Sequence, residues 1–493
     1  MKRFLFASMV VIVGCDEPPA PPSNSAGGAP AFDAAAPRLI TSPPPAASSA
    51  RGMIAPPAVG DRLFARASAV VLAQPASSSM QVGMLSLGDA VPVSSPAAAK
   101  PDCPGGFVGV APLGFVCAGA NATLDATDAR VVTARAEGRA AAIAAYPFSY
   151  GESLGAPLYA RVPTADEQAK AEPAFDANRV ALAQARRSAM LGKEDEIPPY
   201  LRGVELTAPA DPCPRSLAAH REGESPNALV RTLPARVGVA WASECEAEGR
   251  VWLVTPELGL VPRDRVARAP ASTAHGEKTT GDTTLAFVTG KARPRYRMAR
   301  YGYFEALSPL SPFTAVRLTG QSQSVGGSTY LETQTSGEYV LADHVALVEK
   351  RPRPSDLGEH ERWLDLDTRR SLLVAYEGDT IVYAALVASA LAGEGAGRVP
   401  RGRFRIEWKH ATRTLGEGFT ERAHAPHVLV LAGGHTLYGD PWAPPLGVNV
   451  GSATRLTPID AAWLFGWVLP VLPDGWTSRR GTETVPGTWV IVR

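Results

Sequence analysis

Val450-Gly451-Ser452-Ala453-Thr454-Arg455, running into Thr457-Pro458-Ile459-Asp460-Ala461-Ala462-Trp463-Leu464-Phe465, is the stretch on which the C-terminal third of this chain is read. Working outward from it, residues 360–493 hold no cysteine, so no thiol nucleophile can arise there. Trp463, Phe465 and Trp467 read as helix and core residues rather than as a platform for sugars, and Thr488-Trp489-Val490-Ile491-Val492 reads as a closing strand. Four of the eight histidines fall between His410 and His435, and His424-Ala425-Pro426-His427 is their tightest pair. Proline inside that pair breaks the helix on which ligands at this spacing would converge. No carboxylate or cysteine motif completes a set, so no metal site is expected.

With Trp363-Leu364-Asp365-Leu366-Asp367, Leu372-Leu373-Val374-Ala375-Tyr376-Glu377-Gly378 and Pro400-Arg401-Gly402-Arg403-Phe404-Arg405-Ile406, the stretch resembles the catalytic domain of the L,D-transpeptidases. The first two segments are similar to the family's opening strands and the third to its Thr-Pro-x-Gly-x-Phe turn and strand. Thr457 to Phe465 resembles the helix that follows its catalytic motif. That motif runs from a histidine, across an intervening stretch, to Ser/Thr-His-Gly-Cys-x-Arg/Asn. His435 stands at the matching distance, Gly451 at the motif histidine, Ser452 at the glycine, Ala453 at the cysteine and Arg455 at the Arg/Asn.

The resemblance implies acyl transfer without a cofactor. In the family, the cysteine attacks the carbonyl before the terminal D-alanine of a peptidoglycan stem peptide, and an amine of a neighbouring stem then takes the acyl group. Such a nucleophile needs a base, and the base needs an orienting group. Ala453 offers no lone pair and Gly451 no base. Ser452 is the alternative nucleophile, but one residue of offset on a strand turns a side chain to the other face, and without an adjacent histidine its hydroxyl is weak. His435, Tyr438 and Arg455 remain as substrate-binding residues; Arg455 could hydrogen-bond an acyl oxygen or a stem carboxylate. Asp440 stands where a second histidine often follows. His435 can equally be a core histidine, and Arg455 a surface charge. The resemblance therefore points to a domain that binds peptidoglycan stem peptides or a cell-wall enzyme without catalysis. The alternatives are an active transpeptidase or peptidase with a non-cysteine nucleophile, and a structural envelope lipoprotein.

Met1-Lys2-Arg3 is a short positive segment, and Phe4 to Val13 form an apolar run too short to span a bilayer. Ile12-Val13-Gly14-Cys15 resembles the lipobox of bacterial lipoproteins, which implies lipidation of Cys15 and a membrane-anchored protein in the bacterial cell envelope, facing the periplasm. An ordinary secretory signal is the alternative. The net charge of +1, with no Lys/Arg block, argues against nucleic acid as a partner. Cys103, Cys117, Cys213 and Cys245 are an even set in an exported chain, which favours disulfides. Cys103 and Cys117 flank one short hairpin, where closure is worth about 3 kcal/mol in the chain-entropy model; Cys213–Cys245 follows by elimination.

The 493 residues require several cores. Residues 1–15 read as the signal peptide and 16–59, rich in Pro, Ala and Ser, as a disordered tether. A pattern of strand, glycine turn and valine-bearing strand recurs at Phe107 to Val116, Trp252 to Val261 and Tyr330 to Val340. The last two copies lead into Arg263-Asp264-Arg265-Val266 and Ala342-Asp343-His344-Val345. Ala69 to Leu72, Leu85 to Val93 and Thr314 to Leu318 read as further strands. These units resemble bacterial SH3-like modules. The expected architecture is mainly β and multi-domain: SH3-like β-barrel modules at 60–125, 228–270 and 283–350, an irregular, helical connector at 126–227, and an L,D-transpeptidase-like β-sandwich with a helix at 360–493. In the connector, Asp128 to Ala145 and Ala165 to Leu191, broken at Pro173, read as helices.

Overall fold

The computed structural model describes residues 62–138, 144–208, 210–218, 227–279, 284–391, 393, 398–442 and 453–493. The expected signal peptide, Cys15 and the tether lie outside the described residues. The fold is mainly β, with a twenty-stranded, a six-stranded and a seven-stranded sheet and few helices. Among the described residues no helix is long and apolar enough to cross a membrane.

Each recurring sequence unit folds as a hairpin. Val108 pairs with Val116, Leu253 with Val261 and Leu331 with Val340. The two similar tails, Arg263–Arg265 and Ala342–His344, are 3-10 turns that lead into the short strands Val266–Arg268 and Val345–Val348. Period-two alternation sends Leu63, Val71, Val91, Val108 and Val116 into one core, and the Cys103–Cys117 disulfide ties its hairpin. Leu85 to Val93, expected as one strand, is two strands, Gln81–Leu85 and Ala90–Lys100. The Asp89 carboxylate accepts the Ser86 N–H at 2.7 Å, and Gly88 adopts φ +84°, so a local turn outcompetes the extended chain.

The stretch expected as irregular and helical contains helices Ala129–Ala136, Ala165–Ala171 and Phe175–Met190, but also strands Ser149–Ser153 and Ala156–Tyr159. The former pairs with Gly238–Trp241 and Val266–Arg268, and the latter joins the six-stranded sheet. With Gly151 at its centre, the first of these strands has little apolar content of its own, and its partners on both sides define it. The Cys213–Cys245 disulfide links the flank of the six-stranded sheet to its second strand. At its core Arg250 uses all five N–H groups. Nε and Nη2 donate to Asp264, Nη1 and Nη2 to Glu172, and Nη1 also to Gln168, at 2.7 to 3.0 Å. Gln168 and Glu172 come from helix Ala165–Ala171 and its C-cap, so the network pins that helix to the sheet.

In the C-terminal domain strands Arg362–Asp367, Leu372–Glu377 and Thr380–Leu386 form a meander. Strand Trp489–Val492 lies between Arg362–Asp367, to which it is parallel, and the start of Gly402–Leu415, to which it is antiparallel. Helix Pro458–Trp467 begins at Thr457, whose hydroxyl accepts the Asp460 N–H, with proline at the first helical position. Apolar on almost every side, it is buried among Leu366, Leu429, Leu437 and Val490; full burial of Phe465 alone is worth about 2 to 3 kcal/mol.

The β units are docked onto this domain rather than strung before it. Gln81–Leu85 pairs with Ser478–Arg480, and the indole of Trp476 donates to the Ala111 carbonyl. A Cβ on Gly83 would lie 2.2 Å from the Trp476 ring, so only glycine permits that approach. Trp442 similarly covers Gly238 and donates to the Gly151 carbonyl at 2.7 Å.

Candidate functional site

Strand Thr436–Gly439 runs parallel to Thr454–Leu456, with Leu437 opposite Thr454 and Tyr438 opposite Arg455. This pairing brings the sequence-predicted residues together. His435 precedes the first strand, Ala453 precedes the second, and both are held at the same end of the pair. Gly451 and Ser452 lie outside the described residues.

His435 is buried, and its Nε2 lies 3.0 Å from the hydroxyl of Thr454, which is fully buried. Ser389 Oγ, half-buried, lies 2.9 Å from the same hydroxyl and donates to the Ala390 carbonyl at 3.2 Å. An imidazole is thus wired through a threonine to an outer serine. Thr454 itself has no route to a substrate. Ala453 presents only a methyl group, and all four described cysteines are in disulfides.

Arg455 Nη1 donates to the Asp440 carboxylate at 3.1 Å, an ion pair that is largely buried. Main-chain bonds between Arg455 and Ala388 fix the strand from its other side. Tyr438 is buried beside Val428, Val430 and Trp442, and burial pushes its phenol up. It packs in a core of this structure. Asp440, Pro441 and Trp442 line a cavity of about 830 Å³ whose other walls are Tyr146, residues 270–275, Glu277 and residues 312–315. The segment bearing His275 reaches the domain through Asp460, which accepts the Gly276 N–H at 2.6 Å and the Tyr383 hydroxyl at 2.7 Å. Burial raises the Asp460 carboxyl above its ordinary range against those two bonds.

Sequence reasoning missed Thr454 and Ser389. Thr454 occupies the variable position of the motif, and Ser389 lies past the end of strand Thr380–Leu386 with no pattern around it. It also missed a larger groove, about 960 Å³, lined by Trp408, His410, Arg413, His424, Glu257 and Trp476. His424 Nε2 pairs there with Glu257 at 2.5 Å, whereas His427 packs on Phe465. Both histidines have left-handed backbones, φ 50° and 54°, and their rings diverge. Among the described residues no three His, Cys, Asp or Glu side chains converge as metal ligands.

No family model matches the chain, and no curated protein does. Among solved structures it is similar to L,D-transpeptidases. A variant enzyme from Enterococcus faecium is 18% identical over 27% of this chain and 50% of its own, with a TM-score of 0.21. One from Xylanimonas cellulosilytica is 18% identical over 29% and 64%, TM-score 0.21. One from Mycobacterium smegmatis is 15% identical over 46% and 94%, TM-score 0.21. The chain spans less than two thirds of the first two structures.

Proposed function

We propose that this chain is a cell-envelope lipoprotein, anchored through Cys15 and facing the periplasm, whose residues 360–493 form a transpeptidase-like domain without thiol chemistry. It acts by binding peptidoglycan stem peptides or a partner cell-wall enzyme, and the modules at 60–125, 228–270 and 283–350 are SH3-like. The observation that carries the reading is Ala453 at the head of strand Thr454–Leu456, next in the chain to the threonine that His435 contacts, in a domain with no cysteine. Without a nucleophile the acyl-enzyme cannot form, and loss of a nucleophile alone costs about a million-fold in the best-studied serine case. The cavity beside Asp440 and Trp442 is where a stem peptide would lie.

The test is incubation of purified protein with a tetrapeptide donor and an amine acceptor, read by mass spectrometry, alongside a sacculus pull-down. The expected result is no acyl-enzyme, no cross-linked product and retention on sacculi. Turnover by the unmodified protein overturns the reading. The hydroxyl relay from Ser389 through Thr454 to His435 favours a second reading, an acyl transferase or peptidase with a serine nucleophile. Under it, turnover would be abolished in Ser389→Ala, or in Ser452→Ala if that hydroxyl carries the acyl group.

A further inference from the structure

Lys291, Arg293, Arg295, Arg297 and Arg300 fall within ten residues that hold no acidic side chain. They do not form a block in the sequence, because the cations stand mostly at every second position. That spacing is the period of a strand. In strand Arg293–Met298 it puts three arginines on one face and Tyr296 and Met298 on the other. Arg295 is spent internally, on Glu338 at 2.7 Å. Among the described residues Lys291, Arg293, Arg297 and Arg300 have no carboxylate partner within ion-pair distance, although Glu305 and Glu338 are the residues opposite Arg297 in register on its two sides. Arg293 and Lys291 also act on His344, whose imidazole is held below its ordinary value by burial first and by these charges second.

The strand returns through a tight turn. Ala299 N–H donates to the Tyr303 carbonyl at 2.8 Å and Gly302 N–H to the Ala299 carbonyl at 3.1 Å, with Gly302 at φ +74°. Tyr301 at the apex is 89% exposed and Tyr303 49% exposed. Behind the turn the hairpin is stiffened by Phe304 stacked on Tyr330 at 3.8 Å, with Tyr296 edge-on to Tyr330 at 5.1 Å. Those rings are occupied with one another and offer no open stacking platform of the kind single-stranded nucleic acid uses. Strand Phe304–Leu310 is the outer strand of the seven-stranded sheet. Pro309 and the exposed Glu305 blunt it against pairing with another chain. What is left is an amphipathic aromatic tip, its Tyr303 hydroxyl donating to Glu305 at 3.2 Å, flanked by Arg297 and Arg300, which have no ion-pair partner among the described residues. This chemistry suits the headgroup layer of an anionic bilayer, where tyrosine rings settle at the interface and arginines meet lipid phosphates.

We propose that the hairpin of strands Arg293–Met298 and Phe304–Leu310 docks on an anionic lipid surface, with Tyr301 and Tyr303 at headgroup level and Arg297 and Arg300 on the phosphates. The assignment does not depend on lipidation of Cys15. It is tested with the full chain carrying Cys15→Ser, so that acylation contributes nothing and every variant shares the same N-terminal segment. Vesicles of phosphatidylcholine alone and of phosphatidylcholine with phosphatidylglycerol are sedimented with the protein. The expected result is partitioning onto the anionic vesicles that falls with salt. Arg297→Gln with Arg300→Gln weakens it by about thirty-fold, from roughly one decade or less per cation removed. Tyr301→Ser with Tyr303→Ser weakens it on anionic vesicles while leaving the salt dependence in place. Equal partitioning of parent and arginine variant overturns the proposal, as does equal partitioning onto neutral vesicles. Retention of the parent on a polyanionic polymer such as heparin, with no partitioning onto vesicles, would assign the surface to a polymer and overturn it as well. Unchanged thermal unfolding of both variants confirms that the hairpin is intact when binding is read.

Discussion

Arg250 and Lys409 are both cations taken almost wholly out of water, one in the six-stranded sheet and one in the C-terminal domain. Arg250 is met by two carboxylates and an amide that consume every donor it has, and its pKa is raised even though burial, the largest influence on it, acts downward. Lys409 donates to the Val468 carbonyl at 2.9 Å and lies 4.5 Å from the centre of the Phe465 ring, with no carboxylate within ion-pair distance among the described residues. Burial first, then the neighbouring charges of Arg479 and Arg362, bring its pKa down to about 7. Burial is nearly the same in the two places, so the number of partners decides whether a buried cation braces a fold or weakens it.

The sharpest break of this comparison is Glu172→Ala. It leaves Arg250 with Asp264 as its one carboxylate beside the Gln168 amide and also removes the nearer of Arg265's two carboxylate partners, and should cost about 3 to 5 kcal/mol, read from urea midpoints. A loss under 1 kcal/mol would mean that the network is ornamental. Next, Cys213→Ser with Cys245→Ser in the same region opens a loop of separation 32 and should cost about 3.7 kcal/mol. If the double variant is as stable as the parent, the ionic network alone holds the six-stranded sheet.

Lys409→Met tests the other side and carries the opposite sign. The folded pKa, about 7, lies below the free value of 10.5, so the unfolded chain binds more protons between them. Stability therefore rises with pH across that window, and the penalty of burying the charge is complete below pH 7. Methionine should stabilise the protein by on the order of 2 kcal/mol at pH 6, with the gain shrinking toward pH 10. A pH-independent gain would show that packing, not charge, is the cause. The smallest effect is expected for Arg297→Gln with Arg300→Gln, where exposed cations without partners should move stability by less than about 0.5 kcal/mol in calorimetry.

The contrast also separates what could be read from sequence. The hairpins were legible because local alternation and glycine turns are written in neighbouring residues, and the C-terminal helix through the resemblance of Thr457 to Phe465; that the two similar tails are 3-10 turns was not. The Cys103–Cys117 bond was legible for the same reason. Ser149–Ser153 was not, because its partners lie some 90 residues away in the chain. Nor was the docking of the modules, which rests on single glycines under Trp476 and Trp442. At the candidate site, spacing located His435 and Arg455 near one another, but Asp440 as the arginine's partner and Thr454 and Ser389 as the imidazole's contacts emerge only from the parallel pairing of two short strands. The Lys291 to Arg300 row forms no contiguous block in the sequence, because a strand gathers alternate cations.

Strand Trp489–Val492 stands between Arg362–Asp367 and Gly402–Leu415, and this has a temporal meaning. The two older segments share no ladder there until the younger one arrives, so roughly 130 residues must be present before that part of the sheet can close. A chain emerging N-terminus first would have its meander formed and its two halves unjoined, exposing unpaired strand edges to whatever meets it first. Assembly of this part of the sheet is thus timed by Trp489–Val492, and a chaperone that reached it earlier would meet a different surface from the finished one.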